Sequence, residues 1–291
     1  MNPSPFLPEH GAAYQRWRDR KLAGWPDDKA TLFTSLNGVQ PTGSDIRQLK
    51  DTIRRHNMAF YRFPEPASVG KPEVHALAAR MGLIHIQANL CADPDSLSAI
   101  QVARHADQHD YIPYTDRKLS WHTDGYYQPP DAQIHGMLLH CVRPAWQGGE
   151  SWFMDHEIAY ILLREADPAF IRALMHPEAL TIPANSLNGE IIRPQQSGPV
   201  FSINKDGSLH MRYSARQKNI HWRTDPATQA ATALLLALWE QDSPWKLRHC
   251  LQAGEGVLCN NVLHCRTGFV DHDQAQQRRL LYRGRYTDRA G

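Results

Sequence analysis

His122 and Asp124, one residue apart in LSWHTDGYY, have the side-chain types and spacing to bind a divalent metal. On an extended strand, residues i and i+2 point to the same side, so one His-x-Asp offers an imidazole nitrogen and a carboxylate oxygen together. A second imidazole from another strand would complete a two-His, one-carboxylate face with its remaining positions open. The pattern is weak evidence alone. Three His-x-acid triplets occur: His105-Ala-Asp107, His122-Thr-Asp124 and His176-Pro-Glu178. With 16 histidines and 30 acidic residues in 291 positions, about one or two are expected by chance. Context separates them. His105 lies in the polar run RHADQHDY and His176 precedes a proline, whereas aromatic and apolar residues flank His122.

His264 is the candidate third ligand. It follows a turn, an apolar run and an Asn pair in GEGVLCNNVLHCRTGF. Beyond it, QQRRLLYRGRYTD reads as a strand whose alternation places Arg279, Leu281, Arg283 and Arg285 on one face. Guanidinium groups beside a metal suit a dicarboxylate, which they grip as a bidentate fork. A solvated basic edge strand and a nucleic-acid patch are the alternatives, and the near-neutral charge of +2 argues against the patch.

These residues need strands to hold them. The first 40 residues are Pro-rich and read as irregular. A helix is expected over 45–56 with Ser44 as its N-cap, then a strand over 58–63 and a short helix over 72–81. The middle of the chain suggests short strands over 120–127, 134–142 and 151–154, split by Pro129-Pro130, Pro144 and Gly148-Gly149. Helices follow over 156–164 and 168–174. Asp206-Gly207 marks a hairpin between 200–203 and 209–213. Asp225 caps the clearest helix, running to about 241, and late strands are read at 257–263 and 280–286. Many short strands with a few helices indicate a mainly-β sandwich or barrel with helical decoration.

Composition sets the outer bounds. With 42% hydrophobic and 21% charged residues, the chain reads as an ordinary globular protein of one large domain or two modest ones. Five cysteines without a CxxC pair argue against a disulfide framework or a zinc cluster. No secretory leader and no membrane-length apolar run is read, so a cytoplasmic protein with no nucleic-acid or membrane partner is expected. A homo-oligomer stays open.

Taken together and in order, HTDGYYQPP, GGESWFMD, GEGVLCNNVLHCRTGF and QRRLLYRGR resemble the taurine dioxygenase (TauD/TfdA) family, which includes the γ-butyrobetaine hydroxylases. The resemblance runs from about residue 58 to the C-terminus. It implies a double-stranded β-helix (jelly-roll, cupin-like) core in a single domain over 1–291, with about 1–57 as an N-terminal extension. It also implies Fe(II), 2-oxoglutarate and O2, with succinate and CO2 released as a C–H bond is hydroxylated. In its terms His122, Asp124 and His264 are the iron ligands, and Arg279 holds the far carboxylate of 2-oxoglutarate with Ser151, where the family usually has Thr. Arg278 is the fallback for that arginine. Arg283 matches a position that contacts the sulfonate in taurine dioxygenase. Asp124 stands where halogenating relatives carry a small residue, which favours hydroxylation.

The substrate side stays open among a sulfonate, a betaine, an amino acid and a natural-product intermediate, with the arginines favouring an anionic group. Tyr126, Tyr127, Arg212 and Arg216 are candidate contacts, and 105–114 is a candidate lid in which Tyr111 and Tyr114 could cage a trimethylammonium group. Asn260 and Asn261 are expected to brace the His264 strand, and Cys259 and Cys265 to pack. Two other classes compete: a zinc-dependent cupin-like hydrolase or isomerase, which would have no need of Arg279, and a non-catalytic jelly-roll binding protein.

Overall fold

Thr42 and Asp45 start the amphipathic helix Gly43–His56 by a reciprocal cap, in which the Thr42 hydroxyl accepts from the Asp45 N–H and the Asp45 carboxylate accepts from the Thr42 N–H. The cap is therefore Thr42, two residues before the expected Ser44; only Thr42 has an acid three residues on to close the box. Asn57 ends the helix in the left-handed region, at φ 57°. The computed structural model describes residues 3–87, 97–102, 112–187 and 189–291.

The chain condenses into two compact units, each gathered from three segments: Met1–Trp25, Trp121–Gln133 and Met154–Lys246 in the first, Pro26–Ser120, Ile134–Phe153 and Leu247–Gly291 in the second.

In the second unit a six-stranded sheet runs in the order Phe33–Ser35, Met58–Arg62, Glu255–Cys259, Gly136–Arg143, Leu280–Tyr286, Ser98–Ile100. The first pair is parallel and the others antiparallel. Ile46, Leu49 and Ile53 of helix Gly43–His56 and Val74 and Leu77 of helix Lys71–Arg80 pack in one cluster with Tyr61, Leu138 and Leu258. That removal of apolar surface from water is the main force holding helix on sheet. Strand Leu280–Tyr286 has a neighbour on each side, so it is not the solvated edge strand weighed from sequence, and Arg279, Arg283 and Arg285 are all buried. A second sheet orders Leu247–His249, Ser151–Met154, Leu263–Arg266 and Leu119–His122. The two sheets are the double-stranded β-helix expected from the sequence.

Two expected strands end early. The late strand read over 257–263 is two strands, Glu255–Cys259 and Leu263–Arg266, which belong to different sheets. The Asn pair between them is the switch: Asn261 takes φ 50°, a conformation its short polar side chain tolerates. The strand read over 120–127 stops at His122, and Gly125 at φ 68° turns the chain.

In the first unit the expectation of an irregular N-terminus is overturned by helix Gly11–Ala23. Its sequence is mostly polar and no side chain caps it, so no periodic stripe announces it. Tertiary contacts hold it. Tyr14 donates to Glu165 at 2.6 Å, Trp17 meets Phe6 edge-on at 4.9 Å, and buried Lys21 lies 2.5 Å from both Asp155 and Glu157. Helices His156–Ala166, Pro168–Leu174 and Pro226–Glu240 form as expected, capped by Asp155, Asp167 and Asp225. So does the hairpin of Phe201–Ile203 with Leu209–Met211. Among the described residues no helix is long and apolar enough to cross a membrane.

Glu255, at the start of its strand, is a buried carboxylate that accepts from His249 Nε2 at 2.7 Å, the Gln252 N–H at 2.9 Å and Arg62 Nε at 2.9 Å. Burial alone would push its pKa up, but these bonds hold it down to about 2. A carboxyl depressed in the folded state contributes stability above its unfolded pKa of 4.5 and loses that contribution as pH falls toward 2. Thermal unfolding of the native protein should therefore steepen its pH dependence between those values. Glu255→Gln should flatten that dependence and cost on the order of 1–3 kcal/mol at neutral pH. Equal slopes for the two proteins would count against this role.

Candidate metal centre

His122 closes strand Leu119–His122, and Asp124 lies two residues on, in the turn that Gly125 allows. The segment is clamped from one side. The Thr123 N–H donates to the Tyr213 carbonyl and the Tyr213 N–H to the Thr123 hydroxyl, both at 3.0 Å, and the Ala215 N–H donates to the Trp121 carbonyl at 2.7 Å. Trp121 stacks on Trp239 at 4.9 Å, and Trp239 Nε1 donates to the Tyr213 hydroxyl at 2.7 Å. This scaffold holds His122 Nε2 3.6 Å from Asp124 Oδ1, with both side chains buried.

His264 lies in strand Leu263–Arg266. Its Nδ1 is 2.9 Å from the Val262 carbonyl, and Phe153 stacks beside the ring at 6.4 Å. An Nδ1–H donated to that carbonyl fixes the tautomer in which Nε2 is the ligating nitrogen. The Asn pair braces the approach to this strand. Asn260 N–H donates to the Asn57 carbonyl at 2.8 Å, Asn260 Oδ1 accepts from the Ala290 N–H at 2.9 Å, and Asn261 Nδ2 donates to the Ile134 carbonyl at 2.6 Å.

One ligand atom from each of His122, Asp124 and His264 lies within 4.8 Å of the others, and all three residues are buried. Two imidazoles and one carboxylate suit a divalent iron that keeps open positions. A thiol-free set of three leaves no closed tetrahedral site of the structural-zinc kind.

Arg279 and Ser151 meet in a pocket of the second unit lined also by Gly149, Cys141, Cys250 and Leu281. The two glycines ahead of Ser151 have reasons to be there. Gly148 and Gly149 take φ 77° and 73°; a Cβ on Gly148 would lie 2.6 Å from the Gly268 carbonyl oxygen, and one on Gly149 would lie 3.6 Å from Arg279 Nε. Burial pushes the Arg279 guanidinium below the usual arginine range, and its Cζ sits 5.0 Å from the Phe269 ring centroid. Arg266, two residues after His264, places its own Cζ 4.9 Å from that ring and donates to the Thr115 and Arg117 carbonyls at 2.8 and 2.6 Å. Burial, with the charge of Arg279, pushes Arg266 down to about 9. Two buried cations sharing one aromatic ring make this corner strongly receptive to an anion. Sequence reading passed over Arg266 and Phe269, although both stand in the quoted motif CRTGF. Arg278 is not a lining residue; its Nε donates to the His272 carbonyl at 3.3 Å.

The other candidates separate. Arg283 is buried on its strand opposite Leu139 and Ser98. Tyr126 and Tyr127 are half-buried and pack edge-on at 5.3 Å. Arg212 is buried and donates to the Leu180, Gly198 and Gln196 carbonyls at 2.9, 3.4 and 3.0 Å, which braces those strands. Arg216 donates to the Tyr126 hydroxyl at 3.1 Å. Of the competing triplets, His176 Nδ1 accepts from the Glu178 N–H in a local turn, and His105 and Asp107 lie outside the described residues. The same holds for Tyr111 and most of the lid candidate; Tyr114 is buried.

A double-stranded β-helix that brings together histidines from two strands and an aspartate from the turn after one of them has the architecture of the cupin-type metal-dependent enzymes. The comparisons narrow this. The model of the taurine catabolism dioxygenase TauD, TfdA family matches residues 20–285, and the chain belongs to that family. It is a dioxygenase, and Fe(II), 2-oxoglutarate and O2 are its cofactor and cosubstrates. A uridine-5'-phosphate dioxygenase of Streptomyces sp is 27% identical over 272 residues, covering 90% of each chain. Another, of Amycolatopsis sp, is 30% identical over 176 residues, which span 58% of this chain and 60% of that protein. Among solved structures, the non-heme iron oxygenase OrfP in complex with Fe, succinate and (3S)-hydroxy-L-Arg superposes with a TM-score of 0.61 at 15% identity, covering 85% of this chain and 81% of that one. Asparagine oxygenase in complex with Fe(II), 2S,3S-3-hydroxyasparagine and succinate gives 0.57 at 14% identity, covering 88% of each.

Proposed function

We propose that this Fe(II)- and 2-oxoglutarate-dependent dioxygenase hydroxylates an unactivated C–H bond of a nucleoside 5'-monophosphate. The match to the Streptomyces uridine-5'-phosphate dioxygenase across nine-tenths of both chains carries the substrate assignment. The three buried donors within 4.8 Å support His122, Asp124 and His264 as the iron ligands. The shared pocket supports Arg279 and Ser151 as the grip on 2-oxoglutarate, Arg279 as a bidentate guanidinium and Ser151 as a hydroxyl donor to the same carboxylate. The family model's span supports one catalytic domain over 1–291.

When bound, the iron supplies the oxidation that couples decarboxylation of 2-oxoglutarate to succinate with insertion of one oxygen atom into the substrate. The protein's own part is positional. The Tyr213–Ala215 clamp fixes the His122–Asp124 pair, the Val262 carbonyl fixes the His264 tautomer, and Arg279 would anchor the far carboxylate of the cosubstrate.

Two measurements test this. Anaerobic addition of Fe(II) and then 2-oxoglutarate should produce a weak visible metal-to-ligand charge-transfer band; bound iron with no band would sink the assignment and favour the zinc hydrolase. Succinate release should then rise with uridine 5'-monophosphate above the level with 2-oxoglutarate alone. Arginine and asparagine serve as comparison substrates, and a rise with them alone would remove the nucleotide.

A further inference from the structure

Three guanidinium groups and two phenols cluster in the first unit, the phenols on the two residues that follow Gly125. The hairpin that pairs Asn185–Leu187 with Glu190–Arg193 slips register between Ile191 and Arg193. Arg193 Nη2 donates to the Pro183 carbonyl at 2.8 Å and Nη1 to the Pro194 carbonyl at 3.3 Å, and its Cζ lies 5.8 Å from the Tyr127 ring centroid. Tyr126 meets Tyr127 edge-on and accepts from Arg216 Nη1 at 3.1 Å. Arg212 completes the group: burial, with the charge of Arg193, pushes it down to about 10.

Among the described residues, none of Arg193, Arg212 and Arg216 lies within ion-pair distance of a carboxylate. Like charges held close without a counter-ion repel each other, more strongly where water is partly excluded. An anion relieves that repulsion. Arg212 is buried with its donors committed to backbone carbonyls, so it supplies field rather than contact. Arg193 is half-buried and Arg216 exposed, so both remain open to a solute. The two carbonyl bonds order Arg193 in advance and engage only part of its five-donor fork, whose geometry matches phosphate oxygens. The adjacent tyrosine faces suit an aromatic base.

We propose that Arg193 and Arg216 receive the phosphate of the substrate, with Tyr126 and Tyr127 lining its approach. This rests on the nucleotide reading above and assigns the specificity to a hairpin that carries no recognised motif.

The test uses the Fe(II)-loaded protein at saturating 2-oxoglutarate, with succinate release read against uridine 5'-monophosphate and uridine. Arg193→Ala should raise the KM for the nucleotide by about tenfold or more, the loss expected for a charge-assisted contact, and should collapse the preference over uridine. The KM for 2-oxoglutarate and the turnover without substrate should stay as in the parent. Arg193→Lys should restore part of the preference, and Arg216→Ala should repeat the effect more weakly. A nucleotide KM within about twofold of the parent for both alanine variants overturns the proposal while leaving the nucleotide reading intact. So does an equal loss toward nucleotide and nucleoside, which marks a structural role, or a selective loss in Arg283→Ala alone, which moves the phosphate to that residue. If the parent protein releases no extra succinate with any 5'-nucleotide, the nucleotide reading and this assignment fall together.

Discussion

His264→Ala should leave a folded protein that no longer retains iron. The side chain is one of the three proposed donors, so its loss would leave two, His122 and Asp124, from one short segment. Altering only the partners of metal ligands commonly costs about 10- to 100-fold in affinity or activity, so removing a ligand should exceed ~100-fold in substrate-dependent succinate release. The effect on the fold should be smaller, because the strand around His264 is held by other means. Asn260 and Asn261 tie its approach to Asn57, Ala290 and Ile134, and Arg266 anchors its far end to the Thr115 and Arg117 carbonyls. Metal analysis after desalting, read beside a thermal melt, separates the two effects. Iron at parental stoichiometry in the variant would remove His264 from the ligand set, whatever its activity.

How much of this site could be read from the sequence depended on how local its cause is. The Asp225 cap and the Asp206-Gly207 hairpin depend on residues within a few positions of one another, and the structure has them where the sequence puts them. The proposed ligands were legible for a different reason. His122-Thr-Asp124 is near a chance event by itself, and only the order of GGES, the His264 run and the arginine strand singled it out. Helix Gly11–Ala23 was hidden because its stability comes from Glu165, Asp155 and Glu157, more than a hundred residues away. The break at Asn260-Asn261 was hidden because an apolar run on both sides reads as one strand. Only the tertiary structure shows that the chain changes sheets there. Arg193 lies in a hairpin with no periodic pattern and no catalytic neighbour in sequence, so only its position over Tyr127 draws attention to it.

Arg279→Ala should separate cosubstrate binding from stability. The guanidinium lines the pocket with Ser151, 5% exposed, stacked by Phe269 and beside a second buried cation at Arg266. A charge-assisted contact of this kind contributes about 1.5–3 kcal/mol, so the KM for 2-oxoglutarate should rise roughly 10- to 150-fold. The iron content should not change, since no ligand is touched. The unliganded fold should lose little and can gain. Burying a charge costs solvation free energy, and the depressed pKa of Arg279 records that cost in the absence of an anion. Deleting it also relieves its repulsion with Arg266, whose pKa should climb back from about 9. The expected pattern is thus a melting temperature at or above that of the parent without cosubstrate, and a much smaller rise when 2-oxoglutarate is added. The parent, by contrast, should gain about 2.7 kcal/mol of stability at a hundredfold excess over its dissociation constant. Arg279→Lys should fall between them, because an ammonium keeps the charge and loses the fork. A variant that melts far below the parent yet still responds fully to 2-oxoglutarate would assign Arg279 to the framework and leave the cosubstrate to be held elsewhere.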